Sequence, residues 1–368
     1  MAFTLTNFRP IGFETAPAAL HVGDDGRLAA SAPAGAATVD CRGSYLSSGW
    51  CDLHVHVWHG GTDISVRAAE AGRGTGVTAM ADAGSAGEAT FHGLREYVIQ
   101  PAAETVRAFL NIGSIGLVAC NRVPELIDMR SIDVDRTLAA IERNRDVICG
   151  VKVRASGVIV GAWGITPAKI AKRVAEIAGL PLMVHVGEPP PLIEEVFDIL
   201  TEGDIVTHCF NGKKAGSIAD TEALWQHAIR LAGEGVRMDI GHGAASFDFG
   251  VARKALERGL KPWSISTDLH LHNIEGPVHD LATTVAKLLA VGLPLEECIP
   301  AITRRPRSVL GLATGIETGA KADFTLFDVV DAAIDATDAM GNHLRLDRMI
   351  EPRSTVIGAS LQEAARRT

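Results

Sequence analysis

The sequence predicts an α/β chain: a (β/α)8 TIM barrel with a small β-sandwich made by its two ends. Three observations carry this. Eight short β-branched runs, at 50–54, 77–82, 108–115, 148–154, 182–186, 205–208, 237–240 and 263–267, recur about every 30 residues, the length of one βα unit. Helical periods lie between them, as in Val134/Leu138/Ile141, Ile170/Val174/Ile177 and Leu192/Ile193/Val196/Leu200. The flanks read instead as short alternating segments broken by turns.

In chain order, residues 1–48 form the N-terminal part of the sandwich, with strand signals at 3–7, 27–31 and 38–40 separated by Asp24-Asp25-Gly26 and Pro33-Ala34-Gly35. Residues 49–311 carry the strand–helix alternation and have close to the ~250 residues of a closed barrel. Residues 312–368 resume the strand pattern at 321–328 and 354–358 and complete the sandwich. The Gly-rich stretch 83–87 after the second barrel strand reads as a mobile loop. It lacks the spacing that opens a helix onto phosphate.

Composition narrows the function. At 47% hydrophobic and 21% charged residues the chain is not disordered. A formal charge of −9 is a poor footprint for nucleic acid or an anionic membrane. No unbroken apolar run of about 18 residues is present, and residues 1–13 have neither a basic start nor an apolar stretch, so a cytoplasmic protein is expected. Six cysteines lie far apart without a CxxC pair and are read as reduced thiols.

The strongest chemical signal is Asp52-Leu-His54-Val-His56 at the end of the first strand. Side chains alternate along a strand, so both imidazoles face the barrel interior at its C-terminal rim, where they can share a metal. His185 closes strand five, His208 closes strand six and Asp268 closes strand eight. Several imidazoles and a carboxylate around an open position make a hydrolytic metal centre. Lys152 lies inside strand four among Ile148, Val151 and Val153. A buried lysine with a depressed pKa can add CO2, and the resulting carbamate can bridge two metals. Arg154 faces the same way two residues on, and its guanidinium can clamp a substrate carboxylate or pair with a loop acid. His242, at the end of strand seven, either donates to a substrate carbonyl or caps the barrel. His59, His270 and His272 crowd the same rim, and Cys209 points the other way, into packing. Trp163 is either a pocket wall or an exposed contact in a homo-oligomer.

HxH on strand one, Lys on strand four, His on strands five and six and Asp on strand eight resemble the binuclear amidohydrolase superfamily with a carboxylated lysine. The resemblance covers essentially the whole chain. It extends to Ser48-Gly-Trp-Cys-Asp-Leu-His54, where Ser47 and Ser48 replace the usual proline, and to the strand 316–328. His-Val-Gly-Glu-Pro-Pro, Val-Lys-Val-Arg-Ala-Ser and Asp-Ile-Gly-His-Gly are similar to the amidohydrolase/deacetylase (dihydroorotase-like) group, associated with acetylated small carboxylic acids.

The resemblance implies two divalent metal ions, zinc being the expected element. His54, His56 and Asp268 hold one, His185 and His208 the other, and Lys152 as N6-carboxylysine bridges them with a hydroxide. Asp268 is the catalytic proton shuttle. The expected activity is hydrolysis of the amide or ester bond of small N-acetyl or O-acetyl carboxylic acids, with Arg154 and His242 as substrate contacts. The expected partner is therefore a small molecule with a carboxylate. Three other readings stand beside it. A cyclic amide hydrolase of the dihydroorotase or hydantoinase kind carries HxHxR, but Trp58 occupies the arginine position. A mononuclear deaminase matches His185-Val-Gly-Glu188 but has no use for Lys152, and Glu188 also reads as a helix-start carboxylate ahead of three prolines. An inactive scaffold would normally lack some of the six ligands.

Overall fold

The computed structural model describes residues 1–367. Seven strands form one parallel sheet in chain order: Trp50–Val55, Val77–Gly87, Thr105–Asn111, Ile148–Ala155, Leu182–Val186, Ile205–Thr207 and Arg237–Asp239. These strands are buried along nearly their whole length, as a parallel sheet covered on both faces requires. Three of the helices that follow the strands begin where a side chain accepts an unpaired N–H of the first turn. Asp133 does this for Val134–Arg143, Thr221 for Glu222–Gly233 and Asp248 for Phe249–Glu257.

The predicted eighth strand is not a regular strand. Residues 263–269 nevertheless bridge the two edges of the sheet: Ile240 and His242 donate their N–H to the carbonyls of Ser264 and Ser266, while Asp268 donates to His54 O at 2.7 Å. The hydroxyls of Ser264 and Ser266 turn to the Asp239 carboxylate and that of Thr267 to Asp52. Asp268 then leaves the β region with φ 50°. The result is a TIM-barrel-like curl closed by an irregular segment.

Two further expectations change. Residues 83–87 are no mobile loop: they continue the buried second strand to Gly87, where it pairs with Asn111 beyond a register shift. The third strand starts at Thr105 and stops at Asn111, because Asn111 Oδ1 accepts the Gly113 N–H and turns the chain.

The two ends of the chain build two sheets. Leu28–Ala29, Ala19–Val22, Phe3–Thr6 and Ala37–Asp40 make one, and Ser360–Glu363, His343–Ile357, Asp323–Thr337, Tyr45–Ser48 and Arg9–Pro10 the other. One apolar cluster draws Leu5 and Val22 from the first sheet and Leu46, Phe324 and Val356 from the second. A buried ion pair ties this unit to the barrel: Arg307 reaches Asp323 at 2.6 Å and also donates to Gly49 O. No helix among the described residues is long and apolar enough to cross a membrane.

Candidate metal centre

His54, His208 and Asp268 bring one potential ligand atom each within 4.8 Å of one another. His56 joins them, with Nε2 3.1 Å from Asp268 Oδ1, and the His185 ring packs edge-on against His208 at 4.4 Å between centroids. Lys152 reaches in from strand Ile148–Ala155, its Nζ 3.2 Å from His54 Nε2. All six residues expected as metal ligands therefore meet at the C-terminal end of the sheet.

The hydrogen bonds fix which nitrogens face inward. Gly241 O can only accept, so His208 Nδ1, at 2.6 Å, carries the proton. His208 Nε2 is then a bare lone pair, and it is buried with no partner. Thr207 Oγ1 donates to Asp239 Oδ2 and so accepts from His54 Nδ1 at 2.8 Å. His54 Nε2 is left as a second lone pair, 3.3 Å from Asp268 Oδ1. Ser85 Oγ lies 3.0 Å from His56 Nδ1 and orients the third ring. Lys152 Nζ can serve the His54 lone pair, but that of His208 has no donor, and a cation among the rings and the carboxylate would satisfy it. The donor set fits a divalent ion held by nitrogen and oxygen, with the outer partners that metal-binding histidines require.

Burial acts in the same direction. It holds His208 down to about 3, so the imidazole stays neutral, as a ligand must be. It also lowers Lys152 to about 7, which makes the free amine accessible near neutrality. Backbone strain marks the site too: His208 and Asp268 have φ of 68° and 50°, conformations that persist only where surrounding contacts impose them.

Gly84 makes room for the lysine. It has φ +92°, and a Cβ there would lie 2.7 Å from Lys152 Cγ. Gly84→Ala is expected to lower the unfolding free energy by about 1–3 kcal/mol and to displace Lys152. Thermal melting together with metal content checks this; unchanged values for both would remove the constraint.

The cleft over these residues has a volume of about 180 Å³ and is also lined by Arg154, Lys213, Ser246 and His270. Arg154 is held by Glu125, whose Oε1 accepts from Nε at 2.7 Å. The Glu125 side chain is fully buried and that of Arg154 17% exposed, so the guanidinium is fixed while still facing the cleft. His242 is a correction. It is fully buried, Nδ1 bonds Gly243 O and Nε2 faces Lys287 Nζ at 2.9 Å, so both nitrogens are occupied away from the cleft. Glu188 does not start a helix, since the next one begins at Ile193; its carboxylate accepts from Ser156 and pairs with Lys213. His270 reaches the cleft. His59 bonds Ser65 O and His272 approaches Asn121 instead. Cys209 is buried in the core, and Trp163 is 46% exposed with Nε1 donating to Ile127 O.

Sequence reading missed Ser85, Thr207 and Asp239, which orient the histidines, and Lys213. Ser85 was hidden because its strand was ended too early. Thr207 could have been found, since it directly precedes His208.

Comparison with known proteins places these observations in a lineage. The model described as "Amidohydrolase family" matches residues 45–352. A protein named deacetylase from Agrobacterium fabrum is 54% identical over 98% of this chain and 92% of its own, and one from Brucella anthropi is 54% identical over 98% and 93%. A crystal structure described as a dihydroorotase superposes with TM-score 0.96 at 53% identity, covering 100% of this chain and 99% of the other. Another, described as an adenine deaminase, gives 0.89 at 33%, covering 98% and 99%. With the family match spanning most of the chain and relatives this similar along almost all of it, the protein belongs to the amidohydrolase family.

Proposed function

We propose that the protein is a metal-dependent deacetylase that hydrolyses the amide or ester bond of small N-acetyl or O-acetyl carboxylic acids. The observation that carries the reading is the electron-rich set of His54, His208 and Asp268 beneath a cleft walled by the fixed guanidinium of Arg154. The deacetylase names of the relatives support the choice of reaction.

On this reading His54, His56 and Asp268 would hold one divalent ion and His185 and His208 a second, with Lys152 contributing as a carbamate and zinc as the ion of choice. When bound, such ions polarise the substrate carbonyl and lower the pKa of water. Asp268, next to the ligand nitrogens, accepts the proton of the attacking water and returns it to the leaving amine or alkoxide. Arg154 binds the substrate carboxylate through the edge of its guanidinium not used by Glu125. Trp58 is 9% exposed and offers no cation where a cyclic amide hydrolase of the dihydroorotase kind has its arginine. Glu188, held by Ser156 and Lys213, is already engaged. We also read residues 1–48 and 312–368 as one β-sandwich flanking a barrel of 49–311, supported by the apolar cluster common to both sheets.

The test is a panel of N-acetyl and O-acetyl amino and hydroxy acids of both hands, with dihydroorotate and adenine as competing substrates and metal content measured in parallel. Acetate release with about two ions per chain is expected. Ammonia from adenine or ring opening of dihydroorotate at higher specificity overturns the proposal.

Arg154 gives a second test. Replacing it alone strands a buried carboxylate, at about 3–5 kcal/mol, so Arg154→Met is best combined with Glu125→Gln. Loss of one charge-assisted contact costs about 1.5–3 kcal/mol. The specificity constant for the acetylated acid should fall roughly 10- to 150-fold, with its neutral methyl ester nearly unaffected. An equal loss for both shows that the arginine is structural.

A further inference from the structure

A second cavity, about 470 Å³, lies behind the candidate metal centre between the barrel and the long hairpin 323–357. Its body is apolar, with Pro277 on one side and Ile334, Leu346 and Met349 on the other. Its polar groups are unevenly satisfied. Lys287 donates to Pro277 O, Thr337 O and His242 Nε2 and has no donor left. Arg366 pairs with Glu351, Asp335 with Arg345, and Asp338 spends its oxygens on the N–H groups of Phe249, Met340 and Asn342.

Besides the half-buried His279 ring, two buried lining groups remain. Thr283 is 7% exposed and its Oγ1 is buried beside the Asp280 carboxylate without a well-formed hydrogen bond, and Nη1 of Arg367 is buried without a partner among the described residues. An unpaired buried hydroxyl costs free energy that a bound acceptor would recover. A carboxylate oxygen accepts from both donors, and the apolar walls suit an aryl or branched alkyl body.

The cavity and the cleft share structure. Ala244 lines both. The segment that leaves Asp268 continues into the cavity wall, and Asn273 binds it together. Asn273 Nδ2 donates to Asp268 O at 2.7 Å, while its own carbonyl accepts from Gly276, Val278 and His279.

From this geometry we infer that the cavity is a second ligand site, for a small monocarboxylic acid with an apolar body, and that its occupancy acts on Asp268 through Asn273. The site is independent of which substrate the cleft takes.

The probe is 4-fluorophenylacetate, followed by fluorine NMR on the metal-loaded enzyme. Saturable binding is expected to survive in the Arg154→Met/Glu125→Gln variant, which alters only the cleft. Leu346→Trp, which fills the cavity, should abolish it. Thr283→Val, which keeps the shape, should weaken it about 3- to 10-fold. The neutral amide of the probe should bind more weakly than the acid. In turnover, the probe should change kcat rather than compete with substrate. Binding lost in the cleft variant, or equally strong in Thr283→Val and wild type, overturns the proposal, as does the absence of saturation by about 10 mM (K corresponding to only weak affinity). Loss of deacetylase activity on the panel above leaves these binding results standing, so the two readings fail separately.

Discussion

Lys152→Ala is expected to lose the metal centre and with it turnover. The side chain is 1% exposed, with Nζ beside His54 Nε2 and Met183 Sδ, so no surface lysine substitutes for it. Loss of the metal proposed for this site would remove several kcal/mol of transition-state stabilisation, hence roughly 10³-fold or more in rate. If Lys152 acts as the proposed carbamate, short carboxylic acids such as propionate should restore part of both metal content and activity by standing in for it. Lys152→Met, which fills the space without the amine, separates loss of the bridge from loss of packing.

The pH dependence of loading follows from the same lysine. Forming the proposed carbamate would require the unprotonated amine, which adds CO2 with release of a proton. Burial lowers its pKa from 10.5 to about 7, so the amine is largely neutral above that pH and protonated below it. Activation of metal-stripped enzyme by zinc and bicarbonate should therefore weaken as pH falls through about 7. Full activity in the unrescued alanine variant would falsify the carbamate assignment.

Asp268→Asn is expected to keep the fold and most of the metal while slowing turnover by on the order of 10²–10⁴. The backbone permits the change, because asparagine accepts the left-handed conformation that φ 50° imposes at this position. The amide cannot take the proton that the carboxylate accepts. Melting temperature and metal content should stay near wild type while kcat falls; normal turnover across pH 6–9 would remove Asp268 from the chemistry.

Much of this was legible in the residues themselves. Short β-branched runs separated by period-3.6 segments located seven barrel strands, because parallel strands buried on both faces are nearly continuously apolar. Ligand residues at strand ends could be read for the same reason: a strand sets the direction of each side chain, and the C-terminal rim is where a barrel keeps its site. Segment 263–269 fits the pattern in sequence, Trp263 and Ile265 alternating with Ser264 and Ser266, yet its hydroxyls bind buried Asp239 and Asp52 and it forms no regular strand.

Sequence alone thus determined the α/β class, the order of seven parallel strands and the positions of the ligand-type residues. Only the tertiary structure decided which nitrogen of each histidine faces inward, that His242 is spent on Lys287 and Gly243, and that Arg154 is clamped by Glu125. Most of those outcomes depend on distant partners: Glu125 is 29 residues from Arg154, Lys287 is 45 from His242 and Thr207 is 153 from His54. Local periodicity carries the direction of a side chain. It holds no record of which distant donor or acceptor completes that side chain's hydrogen bonds, and that choice is made only when the sheet closes.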